Sequence, residues 1–429
     1  MDSYVSTSGS DTTGTGASSA PYRSIAKALS ELRNGNRVII QPGDYVEAVP
    51  LQIDSLEQAR ILTTERGSTT VRIGDGVAAP AVLTLLDCNH CVVDGLTLAN
   101  REGDGGDVLG GVRVRGGSGN LLSDVGVSWN ADDIGASAVF SAFDLARSPN
   151  SRIRRCSVRD TVATWSGAGG TFCGFRISDM PAHLVDSEVR SARVRGGAIA
   201  RGILIEGSTG ASTVRVERTS VVDLETWTTA AAPVECMAMR VDTSGSGVVK
   251  LVGREIMLAR PHAVGMVDGS LTSQAATGLW VACQDAVEID GFIGAWCSVG
   301  MDFLNVPNPS VISRLTLHQC ERGIRSTAPT PPSRFIVRNA SFSSDTRVEP
   351  FGMGIGIEAV GLPGETFFDL DFVNFYGIRE DWLRAADPIA SSFEIGPHVT
   401  EFNPMYTDPE NLDFTPTNVS GLVNRGGDL

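Results

Sequence analysis

Ile153-Arg154-Arg155-Cys156-Ser157-Val158 repeats the phrase Leu122-Ser123-Asp124-Val125-Gly126-Val127, which stands 31 residues earlier. Both read apolar-x-x-apolar-x-apolar. The phrase returns as Val93/Leu96/Leu98, Ile312/Leu315/Leu317 and Leu370/Val373/Phe375. Weaker copies stand at Val216/Thr219/Val221, Gly253/Ile256/Leu258, Ile289/Phe292/Gly294 and Val337/Ala340/Phe342, and the copy around Val185 and Val189 is out of register by one. The final anchors, from Leu98 to Phe375, are spaced 29, 31, 31, 32, 37, 36, 23, 25 and 33 residues apart. A period of this length marks stacked supersecondary units. Each phrase is too short for a helix, and alternation flanks a two-residue bend, so it reads as two short strands meeting at a tight corner. One such coil cannot bury its own apolar face and must stack on the next. Unequal spacings mean that loops of unequal length leave the stack.

Other repeat classes fit poorly. Leucine-rich repeats carry an Asn at a fixed place, helical repeats need long 3.6-period stretches, and propeller blades need several hairpins per repeat. With 48 Gly, 20 Pro and many β-branched residues, the chain is expected to be all-β: a right-handed parallel β-helix.

The opening residues carry a second signal. Tyr4-Val5-Ser6 is followed by Gly9, Asp11, Gly14 and Gly16, then by Pro21-Tyr22, Ser24-Ile25, Ala28-Leu29, Val38-Ile39-Ile40 and Pro42-Gly43-Asp44-Tyr45. This order resembles the N-terminal cap of the pectate-lyase-like β-helix superfamily, and Asp408-Pro409 to Phe414 resembles its closing segment. The resemblance implies the fold. It leaves activity open among lyases, hydrolases, epimerases, phage tailspikes and structural proteins. The expected organisation is a cap over 1–37, about ten coils over 38–377 and a C-terminal cap or attachment segment over 378–429. Residues 21–33 place Ile25, Ala28, Leu29 and Leu32 on one helical stripe, suited to covering the open strand edges of the first coil.

Charge bounds the partners. With 35 Lys and Arg against 50 Asp and Glu, the net charge is −15. That argues against nucleic acid as the main partner. No apolar run reaches 18 residues, so no membrane span is expected. Met1-Asp2-Ser3-Tyr4 leads directly into the cap without the basic and apolar regions of a signal peptide. Several of the eight cysteines, Cys156 among them, sit at repeat positions that otherwise hold Val, Leu or Ile and read as core filler, with no disulfide expected. Cys88-Asn89-His90-Cys91 lacks the second pair that a zinc site needs. The acidic loop Glu102-Gly103-Asp104-Gly105-Gly106-Asp107 lacks an EF-hand pattern. The five His residues are scattered, so no metal and no cofactor are assigned.

Stacking turns equal repeat positions into columns about 4.8 Å apart. Two residues past each anchor, the column reads Asn100, Trp129, Asp160, Ser191, Asp223, Arg260, Trp296 and Gln319. One residue past, it includes Arg159, Arg190, Ala259, Ala295 and His318. Adjacent segments add Asp132, Asp133, Trp165, Glu225 and Trp227. Acids beside aromatic rings are the chemistry of a sugar site. Asp160 and Asp223 are the expected carboxylate pair, with Asp133 or Glu225 as substitutes. Trp129, Trp165 and Trp227 are the expected ring platforms, and Arg159 and Arg190 the expected partners of a sugar carboxylate. Carboxylates two coils apart lie about 9–10 Å apart, at the upper edge of an inverting glycosidase pair. The alternative is that these are exposed strand ends, with Asp favouring the turn and Arg solvating the surface. A lyase needs a cationic base, yet the only lysines are Lys27 and Lys250. Asn130-Ala131-Asp132-Asp133 resembles polygalacturonase elements, but the Gly-His-Gly and Arg-x-Lys elements are absent.

Three function classes follow. The first is a phage virion appendage, a tailspike, fibre or decoration β-helix, that contacts host-surface polysaccharide or other virion proteins, with or without glycan depolymerisation. It is expected to be a homotrimer located in the virion. The second is a secreted polysaccharide hydrolase or lyase, the hydrolase being favoured if the protein is an enzyme. The third is a non-catalytic structural β-helix.

Overall fold

The computed structural model describes residues 1–74, 77–100, 109–135, 138–166, 169–197, 199–207, 212–228, 234–242, 249–267, 270–283, 285–306, 308–327, 333–344, 353–360, 366–385 and 392–417. The acidic loop 102–107 lies outside them, as do the side chains of Asp132 and Asp133. The chain forms two compact units. Unit 1 comprises 1–209, 219–236 and 263–274, and unit 2 comprises 210–218, 237–262 and 275–429. Both are built of coils in the right-handed parallel β-helix manner, as the repeat implied.

Each coil contributes strands to two parallel sheets. In unit 1, Ser157–Trp165 pairs with Glu188–Arg195, which pairs with Ser220–Trp227. In the second sheet of that unit, Val139–Ala146 pairs with Thr171–Ser178, which pairs with Ile199–Glu206. Unit 2 repeats the scheme with Val249–Ala259, Val287–Ala295, Asn308–His318, Ser333–Ser343 and Thr366–Tyr376 on one side. Ala276–Ala282, Val299–Leu304, Arg322–Thr327 and Ile355–Val360 form the other.

The two-residue bend of the phrase has a definite backbone. Its second residue is left-handed: Asp124 at φ 52°, Arg155 at 50°, Asp186 at 52°, Arg314 at 51° and Asn339 at 51°. This conformation costs a non-glycine residue about 1–2 kcal/mol. The bend is held because the turned amide donates to a neighbouring coil, Asp124 to the Arg154 carbonyl and Arg155 to the Val185 carbonyl, both at 3.0 Å. A second left-handed column stands two residues past the anchors, at Asp160, Ser191 and Asp223 in unit 1 and at Arg260, Trp296 and Gln319 in unit 2.

The anchors Leu98, Val127, Val158, Val189, Val221, Leu258, Leu317, Phe342 and Phe375 are all buried. Facing them on the opposite sheet is a column of small residues that the repeat phrase does not include. A Cβ on Gly323 would meet Phe342 at 2.6 Å, and one on Gly356 would meet Phe375 at 2.7 Å. Gly300 stands likewise against Leu317, and Gly174 against Val189. The bulk of these anchors therefore fills the space left by a glycine. The weak anchor Gly294 follows the same rule, because Leu317 and Phe292 occupy its place at 2.7 and 2.9 Å. Like residues stack between coils. Phe342 and Phe375 have centroids 4.9 Å apart, and Phe143 and Phe175 are 4.8 Å apart.

All eight cysteines are free and buried. Cys88 and Cys91 point inward at one corner, where their thiols share a hydrogen bond that lowers the pKa of the Cys88 thiol and raises that of Cys91. Their inward position makes them core, not an open ligand pair. The N-terminal helix is Ile25–Ser30, shorter than the expected 21–33 stripe. Tyr22 is held extended instead. Its amide donates to the Tyr4 carbonyl, and its own carbonyl accepts from Ser6, both at 2.9 Å. Ser24 caps the helix by accepting from the Lys27 amide. The buried Glu47 carboxylate accepts from the first two helical amides, Ile25 at 2.7 Å and Ala26 at 3.1 Å. Burial nevertheless raises the Glu47 carboxyl above its usual range.

Candidate functional site

The expected site residues separate into four groups. Trp129 and Trp165 go to the core, at 2% and 3% exposure. Neither offers a ring face, so both are corrected from sugar platform to core. Trp129 packs against Phe140 at 5.2 Å, and the Trp165 indole donates to the Ala138 carbonyl at 3.0 Å. The Trp129 error has a definite cause. Val127 pairs with Val158, but Asn130 pairs with Val162, so this coil is one residue shorter at the corner. Trp129 thus stands level with inward-facing Thr161, not with Asp160. Trp165 follows from the alternation beyond the corner, where Thr161, Ala163 and Trp165 all point inward.

The second group is the carboxylate pair. Arg159 pairs with Arg190 and Thr161 with Ala192, which places Asp160 level with Ser191. The next coil places Ser191 level with Asp223. Asp160 and Asp223 therefore share a register column two strands apart, about 9.6 Å by strand spacing. Asp160 is exposed and Asp223 half-buried. Both are left-handed, at φ 48° and 57°, a conformation that Asp tolerates better than most residues. The bend thus accounts for Asp at both places without any catalytic role.

Arg159 and Arg190 form the third group. They stand side by side on the outer face, and both reach Glu188 of the Arg190 strand, Arg190 at 3.9 Å.

The fourth group is the densest. Arg193 is level with Glu225, and Arg195 is level with Trp227. Arg193 meets the Glu225 carboxylate at 3.7 Å. Arg193, Val194, Arg195, Glu225 and Trp227 line a recess of 460 Å³. Trp227 is 36% exposed, the expected ring platform that the fold leaves open. The sequence alone did not rank Arg195. Its signal was alternation, because Arg193 and Arg195 flank inward Val194 and so must face out. The recess lies about 13 Å along the strand from Asp223, counted at the rise of an extended chain.

In unit 2 the same outer face is covered. Strands Tyr406–Asp408 and Asp413–Pro416 form an antiparallel hairpin whose Phe414 is buried on Ala259 and Ala295. Tyr406 donates to Ser341 at 2.9 Å and meets His318 edge-on at 5.6 Å. Burial raises the Tyr406 hydroxyl above its usual range. The Arg260 guanidinium lies 5.0 Å from the centre of the Trp296 ring. Beside the hairpin, Trp296, His318, Gln319, Tyr376 and Tyr406 help line a 630 Å³ pocket. Its aromatic residues were visible in the column and in the closing segment, but the hairpin that gathers them was not.

Among the described residues, no group of three or more His, Cys, Asp or Glu is placed to hold a metal ion. Nor is any helix there long and apolar enough to cross a membrane.

Comparison with known proteins supports the fold. Residues 7–111 match the family model described as Protein of unknown function (DUF1565). A comparison with curated proteins gives no match. Among solved structures, the chain is similar to bacteriophage CBA120 tailspike protein 3, with a TM-score of 0.50 at 11% identity. The match covers 86% of this chain and 57% of the tailspike, so the chain spans little more than half that protein's length. It also aligns with the catalytic domain of a GH87 alpha-1,3-glucanase in complex with tetrasaccharides, at TM-score 0.47 and 12% identity over 91% of this chain and 67% of that one. A pectin methylesterase in complex with a hexasaccharide aligns at TM-score 0.35 and 11% identity, over 65% of this chain and 88% of the esterase. The tailspike likeness is one of fold.

Proposed function

We propose that the protein is a carbohydrate-contacting β-helix whose sugar-binding face lies on unit 1, and that it serves as a virion appendage of the tailspike, fibre or decoration type. The observation that carries the carbohydrate reading is the recess around Trp227. An exposed indole stands beside two guanidinium groups and a carboxylate on rigid adjacent strands. An indole face stacks on the C–H face of a sugar ring, while flanking charged groups bind its substituents. Rigid strands hold these groups at little ordering cost. The appendage reading draws on the fold shared with a bacteriophage tailspike. It predicts a homotrimer and contacts with other virion proteins. Light scattering tests the trimer, and a mass near 45.3 kDa overturns it.

Binding is tested by affinity electrophoresis against a panel of surface polysaccharides. Wild type is expected to be retarded by at least one of them, and Trp227→Ala to lose that retardation while melting unchanged. Retardation unaffected by Trp227→Ala places the site elsewhere.

The shared register of Asp160 and Asp223 supports a second reading, glycoside hydrolysis by inversion. One carboxyl protonates the leaving oxygen while the other activates water across the sugar. Release of reducing ends that is abolished by Asp160→Asn and by Asp223→Asn supports it. Binding without release leaves a non-catalytic binder.

A further inference from the structure

We infer that the Trp227 recess selects carboxylated sugars. This rests on the sugar-platform reading and adds the chemical class. Two guanidinium groups and one carboxylate line the recess. Arg193 is matched by Glu225 at 3.7 Å. Arg195 makes no ion pair with any described residue, and it stands level with Trp227 on the adjacent strand. Among the described residues, the recess therefore holds one surplus cation beside one exposed ring, in a chain whose net charge is −15. A ring stacked on Trp227 lies within side-chain reach of Arg195, because adjacent strands are about 4.8 Å apart. The planar guanidinium fork matches a carboxylate with two parallel hydrogen bonds, which a neutral hydroxyl cannot supply.

One surplus charge suits an anion carried once per sugar ring. The occupant is thus a uronate-type polysaccharide, in which the stacking ring and the carboxylate belong to one residue, and nucleic acid is an outcome of the test.

The test uses the full chain and a matched pair of polymers, polygalacturonate and hyaluronan, each before and after chemical reduction of its carboxyl groups to alcohols. Wild type is expected to bind at least one native polymer about tenfold more tightly than its reduced form, the gain of one charge-assisted contact. Arg195→Gln should erase that preference, so that the native and reduced polymers bind this variant equally. Arg195 is exposed, so this variant should keep the wild-type melting temperature. If wild type binds native and reduced polymers equally and Trp227→Ala abolishes both, the sugar platform stands and the carboxylate inference falls. A preference that survives Arg195→Gln also overturns the inference. If no polysaccharide of the wider panel binds, the proposed function falls with it, and tighter binding of single-stranded DNA than of any glycan overturns both.

Discussion

One residue beyond the inward anchor, unit 1 carries Arg159 and Arg190, whereas unit 2 carries Ala259, Ala295 and His318. The backbone is alike in both places. A left-handed residue follows, Asp160 or Ser191 in one unit and Arg260, Trp296 or Gln319 in the other. The side chains differ, and so does what lies above the sheet. The alanines leave room for Phe414, so the hairpin closes over them and the face becomes core. The arginines stand up and pair with Glu188, so the face stays wet. On this scaffold the same backbone position is interior at Ala259 and Ala295 and solvent-facing at Arg159 and Arg190.

The sharpest break in the comparison comes from moving one residue inward, where the units should agree. Val158→Asp and Leu317→Asp each bury an unpartnered charge, one in each unit, and should cost about 3–5 kcal/mol in urea unfolding. Arg159→Ala, one position further out, should stay within about 0.5 kcal/mol of wild type. Equal losses at Val158 and Arg159 would show that the alternation assigned to this strand is wrong. The next test makes unit 2 resemble unit 1. Ala295→Arg places a long side chain under Phe414 and should cost about 1–3 kcal/mol by overpacking. Tryptophan emission should shift to longer wavelength as the hairpin lifts from Trp296. An unshifted spectrum would mean that side-chain size does not control coverage.

The smallest effect concerns a corner ion pair present in both units, Asp124 with Arg155 and Asp290 with Arg314. The Arg155 guanidinium holds the Asp124 carboxyl at about 2, below its ordinary 3.8. Because the folded value is the lower one, the stabilisation is complete above the ordinary value and is lost as the pH falls through about 2. Solvent at this half-open corner limits it to about 1 kcal/mol. The gap between wild type and Asp124→Asn in urea midpoint should therefore close on acidification below pH 3.8. A gap that persists at the acid end would assign the effect to packing.

The coil was legible because its phrase fixes both a corner and an alternation, as at Leu122 to Val127. Its second corner was not. Asp160 inserts a left-handed residue that resets which side chains point in, and Trp129 lies in a coil lacking that insertion. A single residue moved a large ring from the expected surface into the core. The glycine column also escaped notice, because Gly323 gains meaning only from Phe342 lying opposite. The sugar-facing candidates fared according to phase. Trp227 lies an even number of residues beyond Asp223 and three beyond inward Leu224, so it faces out. The covering hairpin was legible as a motif near Asp408-Pro409, but its resting place depends on Ala259 and Ala295, far earlier in the chain.

The pairing of Phe342 with Gly323 and of Phe375 with Gly356 also bears on how such a chain can lengthen. The bulky partner and the empty one lie on opposite sides of a single turn. A tandem duplication one full turn long carries one of each, wherever it begins, and the new copy fits its neighbours. A duplication of half a turn sets bulk against bulk, or glycine against glycine, and leaves a clash or a void. Heritable changes in length should therefore arrive as whole turns, or as insertions confined to the outer loops.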